Sequence, residues 1–139
     1  MNDLIDDKYY KNYKRGMLAE IQGNIVVLTG KYKATWEKHV TFTTIRPYIQ
    51  DCKTKTICDH INLSRIDVEK VINIADLEKN RKYYIFGYCK TYSQGERMGV
   101  KLALGEGFCP IIKAADFNGI PAEIARKCYQ FESVQFAKC

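Results

Sequence analysis

Apolar positions change their period along the chain, and each change marks an element. Between residues 3 and 22, Leu4, Ile5, Tyr9, Tyr13, Met17, Leu18 and Ile21 recur at roughly helical spacing, with acids ahead of Lys8, Lys11, Lys14 and Arg15. This predicts an N-terminal amphipathic helix closed by Gly23. From Asn24 to Thr35 the residues turn β-branched and Lys31 and Lys33 alternate with Tyr32 and Ala34, which predicts a strand. Trp36, Glu37 and Lys38 make a short polar turn. Residues 39–46 are again β-branched and aromatic and supply the antiparallel partner, with Pro47 marking the end of pairing or a bulge.

A third strand is predicted over residues 56–63, where Ile57, Ile61 and Leu63 share one parity. Ser64 then stands as an N-cap with Asp67 three residues on, and Ile66, Val71, Ile74 and Leu77 recur at helical spacing, so a helix runs on to Asn80. Arg81 to Tyr92 reads as a fourth strand, residues 93–96 as a turn, and Arg97 to Leu104 as a fifth strand. Beyond a Gly-rich stretch, Pro121 opens a terminal helix carrying Ile124, Cys128 and Phe131 over residues 120–136. The expected order is helix, three strands, helix, two strands, helix.

Composition narrows the class. At 139 residues, with 46% hydrophobic and 27% charged residues, the chain has the size and make-up of one globular domain, and it shows no repeat and no Pro-rich linker among its three prolines. No apolar run approaches the roughly 18 residues of a membrane span, and the N-terminus lacks the apolar core of a signal peptide. A cytoplasmic protein with reduced cysteines is therefore expected, although six cysteines would suffice for a disulfide framework in an oxidising compartment. The net charge of +6 favours polyanionic partners, and it equally serves plain solubility.

Three strands, a helix and two more strands is the order of the oligonucleotide/oligosaccharide-binding (OB) fold, a five-stranded Greek-key barrel with a helix between strands 3 and 4. Residues 24–104 resemble that fold. Residues 1–23 form an N-terminal helix and 105–139 a C-terminal extension within the same domain. The passage Cys58-Asp59-His60-Ile61, the helix-forming stretch after it and the long strand from Arg81 are similar to small barrel proteins of Gram-positive bacteria and their phages or other mobile elements. An α+β sandwich, with helices over one face of an open antiparallel sheet, satisfies the same pattern.

The resemblance implies a non-enzymatic protein that binds single-stranded nucleic acid on the face of strands 2 and 3 and the loops beside it. Cations neutralise phosphates and exposed rings stack on bases, which selects Lys31, Lys33, Trp36, Lys38, His39, Tyr88, Lys90, Tyr92 and Arg97. Tyrosines in strands also serve packing. Trp36 differs, because a large ring in a polar turn has little structural reason to be there. The alternative is a protein-binding module such as a phage-encoded inhibitor of a host defence nuclease, and the terminal helices discriminate: if they cover strands 2 and 3, nucleic acid is excluded there. Helix 3–22 can pack on its own barrel or on a second copy, which leaves the oligomeric state open.

No cofactor, metal or catalytic residue is expected. The spacing Cys52-x5-Cys58-x-His60 offers no fourth ligand and matches no usual zinc motif. Asp59 and His60 are expected to form a structural hydrogen bond capping the strand-to-helix corner. Paired carboxylates, a phosphate loop and a nucleophile elbow are all missing, and Gly99 to Gly107 lacks the strand-then-helix setting of a dinucleotide fingerprint.

Overall fold

Strands dominate the computed structural model, which describes residues 25–91, 98–105, 109–131 and 137. The N-terminal helix expected over residues 3–22 lies outside the described residues. Strand β1 (Ile25–Thr35) points Val26 and Leu28 inward, and β2 (His39–Pro47) does the same with Val40, Phe42 and Ile45. Strand β3 (Cys58–Ser64) contributes Ile61 and Leu63, and β4 (Lys82–Thr91) contributes Tyr83 and Ile85. Strand β5 (Met98–Leu102) adds Val100 and Leu102. Full burial of such side chains stabilises the fold by about 1.5–3 kcal/mol each.

These strands form one antiparallel sheet in the order β3-β2-β1-β4-β5. The sheet curls into a half-barrel, bringing β3 near β5, and among the described residues no ladder joins those two ends. Two irregularities in the β1–β2 ladder accompany the curl. Thr44, at φ 54°, is the extra residue of β2 where Thr29 opposes Arg46 but Lys31 opposes Thr43. Lys33 is the extra residue of β1 where Tyr32 opposes Phe42 but Ala34 opposes Thr41. Gly30 sits where a Cβ would lie 2.8 Å from Ile45 Cδ1 and 3.1 Å from Phe42 Cβ, so the inside of the bend has no room for a side chain.

A sixth strand, β6 (Ile111–Lys113), which the periodicity did not reveal because it is only three residues long, pairs with Tyr83–Ile85. It shares one edge of β4 with β5, which takes Gly87–Thr91. The chain leaves that edge at Ala103, whose N–H bonds Phe86 O, and returns at Pro110, whose carbonyl accepts from Phe86 N.

The helices are shorter than expected. After β3, α1 covers only Arg65–Glu69, and Ser64 makes no side-chain cap. Val71, Ile72 and Ile74 are β-branched and weak helix formers, and the Asn73 side chain accepts from Ala75 N to start a separate 3-10 turn at Ile74–Asp76. Of the residues read at helical spacing, Val71, Ile74 and Leu77 still pack on the core, joined by Ile72, whereas Ile66 is 68% exposed, so the spacing recorded burial only in part and without one continuous helix. Asn80, at φ 67°, takes the left-handed turn into β4, and the buried Tyr83 hydroxyl accepts from Glu78 N at 2.8 Å.

Among the described residues the C-terminal helix contracts in the same way, to α2 (Ala122–Ala125) behind Pro121, and positions 132–136 of the expected span lie outside them. Cys128 then bridges to Ile25, and Tyr129 N donates to Ile25 O at 2.7 Å, so the backbone leaves the helix for the start of β1. Ile124, Cys128, Phe117 and Ile120 pack on Val27, Phe86 and Ala103, a second apolar cluster on the outward side of β1 and β4. Phe117 stacks on Tyr84 with centroids 3.8 Å apart and planes within 5°.

Candidate nucleic-acid interface

On β2 and β3 the residues between the inward ones are polar. Register aligns Lys31, Thr43 and His60 in one row, Ala34, Thr41 and Asn62 in the next, and His39 with Ser64 at the hairpin end. Asn62 and Ser64 are exposed, and His39, Thr43 and His60 are partly so. The bulge widens this surface. Tyr32 and Thr35 face the same side, their hydroxyls bonded at 2.8 Å, which leaves Lys33 and Ala34 between them on the other.

Trp36 is built into that surface. Glu37 and Lys38 form the hairpin tip, closed by Trp36 N donating to His39 O at 2.7 Å. The indole Nε1 donates to Thr41 Oγ1 at 2.8 Å, and that hydroxyl donates in turn to Asn62 Oδ1 at 2.6 Å. Thr41 is buried although its register faces outward, with the indole bonded to it. The residue remains 49% exposed, and the His39 ring lies 6.3 Å from the indole, tilted by 44°. Arg65 fastens the tip to α1: its Nη1 donates to Trp36 O, its backbone N donates to Lys38 O, and its Nε pairs with Glu69 at 3.1 Å. A ring so held has lost much of its freedom before any ligand arrives.

Lys31, Lys33 and Lys38 are exposed around this platform, and none of them pairs with a carboxylate among the described residues. The structure thus groups Lys31, Lys33, Trp36, Lys38 and His39. Tyr88 stands apart, opposite Ile25 at the other end of β1, about 30 Å of extended strand away at ~3.3 Å per residue. Lys90 follows it on β4, opposite Gly99. Tyr92 and Arg97 lie outside the described residues. Sequence reasoning missed Thr41, Asn62 and Arg65, whose roles depend on a cross-strand register and on a contact spanning the third strand.

The Asp59–His60 bond is present, Nδ1 to Oδ1 at 3.1 Å, but it lies on the exposed surface at the start of β3 and not at the corner before α1. Cys58 is buried with its Sγ donating to His60 O, and among the described residues no three His, Cys, Asp or Glu side chains gather as metal ligands. Cys52 and Cys109 are free exposed thiols; Cys128 is a free buried one, and burial pushes its thiol pKa up. No described helix is long and apolar enough to cross a membrane. Searches against protein-family models, curated proteins and solved structures found nothing that matches this chain.

Proposed function

We propose that the protein is a non-enzymatic binder of single-stranded nucleic acid, with the outward face of β1, β2 and β3 as its contact surface. The observation that carries this reading is Trp36: a half-exposed indole anchored by Nε1 and ringed by Lys31, Lys33 and Lys38. Its free face suits stacking on a base, the cations suit the phosphates on either side, and neither contact selects a sequence. The reading is also supported by Phe117, Ile120, Ile124 and Cys128, which pack on the outward residues Val27 and Phe86 of β1 and β4 and not on those of β2 or β3. We read the sheet order, with α1 between β3 and β4, as the frame of an OB-type barrel.

Fluorescence anisotropy with labelled oligo-dT and a duplex of equal length, at two salt concentrations, tests the proposal. Salt-dependent binding to the single strand is expected, and Trp36→Ala should weaken it roughly tenfold or more, as losing one base stack implies. Absence of binding at low salt would overturn the proposal and turn attention to a protein partner for the same face.

A further inference from the structure

Beside the Trp36 platform, the outward face dips into a cleft of about 400 Å3 whose lining includes Lys31, Arg46, Lys53, Lys82, Asp51 and Tyr84. The volume is that of a small-ligand pocket. Its walls follow from register: Lys31 opposes Lys82 across β1 and β4, and Thr29 opposes both Arg46 and Tyr84. The segment after β2 forms the rim, held by Tyr48 N to Val27 O, Thr54 Oγ1 to Pro47 O and Cys52 N to Ile49 O. These bonds are all internal to the fold, so the cleft exists before a ligand does.

Its electrostatics are one-sided. Four cations meet one carboxylate, and no ion pair within 4 Å involves Lys31, Arg46, Lys53 or Lys82 among the described residues. The Lys82 ammonium is held 5.1 Å from the centre of the Tyr84 ring, whose stacking on Phe117 fixes it in turn. Gathering unpaired like charges around one depression costs stability, and a fold that selection had tuned for stability alone would spread or pair them. Backbone strain sits at the same place: Thr44, a lining residue, is β-branched and has φ 54°, a conformation that costs about 1–3 kcal/mol outside glycine. Burial, with the nearby Tyr84 and Asp51, raises the pKa of Tyr48 at the rim.

We propose that this cleft is an anion site for a phosphate-bearing ligand. Lys31, Arg46, Lys53 and Lys82 supply the charge, and the Arg46 guanidinium, braced by its 3.3 Å bond to Thr56 Oγ1, supplies a planar donor for phosphate oxygens. The phosphate belongs either to a strand lying across the Trp36 face, which Lys31 borders as well, or to a free phosphorylated small molecule. The first version rests on the function proposed above, whereas the site itself does not.

The test titrates inorganic pyrophosphate into the 15N-labelled protein and the double variant Lys53→Glu/Lys82→Glu, and measures oligo-dT affinity of both at several salt concentrations. Both substituted side chains are exposed, so the variant should keep the wild-type amide spectrum away from the cleft. Pyrophosphate is expected to shift amides of residues 29–31 and 51–54 in the wild type and not in the variant. Competition between pyrophosphate and oligo-dT, with a salt slope reduced by about 0.7 per lost phosphate contact, identifies the strand as the source. Cleft shifts without competition identify a free phosphorylated ligand, and cleft shifts without any oligo-dT binding sink the strand reading alone. If pyrophosphate leaves the cleft amides unmoved and the variant keeps the wild-type salt slope, the cleft proposal is overturned, even where Trp36-dependent strand binding survives.

Discussion

The sheet turns two different surfaces outward. Along β1 and β4 the outward residues include Val27 and Phe86, and the chain after β6 returns to bury them under Phe117, Ile120, Ile124 and Cys128. Along β2 and β3 they are Thr41, Thr43, His60, Asn62 and Ser64, and the one large ring laid over them, Trp36, comes from the neighbouring hairpin and keeps half its area in water. A sheet needs only one buried face to be stable. Here part of the second face is also turned into core, while the remainder stays polar and carries the unpaired lysines. The covered region therefore answers to stability, and the open region is the one the proposed binding would use.

Truncation should separate the two most sharply. Phe86→Ala is expected to cost about 3–5 kcal/mol in urea unfolding, because Phe86 is 1% exposed at the centre of the covered side. A cost near that of a surface substitution would remove the distinction. Next in size, Gly87→Ala should cost about 1–3 kcal/mol, since its Cβ would come within 2.7 Å of both Lys101 O and Val100 Cγ1, and the carbonyl cannot turn aside without breaking the β4–β5 ladder.

On the open side the effects should be smaller and show in binding more than in stability. Thr41→Val keeps the shape but removes the acceptor of the indole N–H and the donor to Asn62, for an expected loss of about 1 kcal/mol. Tryptophan fluorescence, which reports the single Trp, should show the ring loosened. Unchanged emission and anisotropy would mean that Thr41 does not hold it.

The covered side also carries the smallest expected effect, a decline in stability at alkaline pH. Cys128 has its pKa raised above the ordinary 9.0 by burial. The unfolded thiol thus ionises first, and the contribution is complete below pH 9.0 and lost as pH rises through the folded value. Unfolding free energies measured at about pH 8 and about pH 10 should diverge less in Cys128→Ala than in the wild type. Tyr48, raised from 10.0 mainly by burial, acts in the same direction at higher pH.

Much of the strand framework was legible in the sequence because β-branched residues alternate with polar ones wherever one face is wet, as in β2 and β3. That Trp36 stands out from the core was legible for a related reason: a ring between Thr35 and Glu37 has no apolar neighbours in sequence to pack with. The helices misled, since Ile66, Val71, Ile74 and Leu77 have the spacing of a buried helical face, but Ile66 points to solvent and the β-branched Val71, Ile72 and Ile74 have the chemistry of residues that leave a helix. The cleft was illegible. Arg46, Lys53 and Lys82 come from three separate segments, and only the β1–β4 register and the bulge at Thr44 bring them to Lys31.

The β1–β4 ladder joins Lys31 to a partner about fifty residues further along the chain, whereas β1, β2 and β3 pair through neighbours in sequence. Closing so long a loop is slow compared with zipping a hairpin. The surface bearing Trp36 is thus made from contacts the chain finds early. The core beneath the C-terminal segment has to wait for β4, and until it docks, the outward Val27 of β1 is bare to water, making the interval before β4 arrives the time at which newly made chains are most prone to associate with one another.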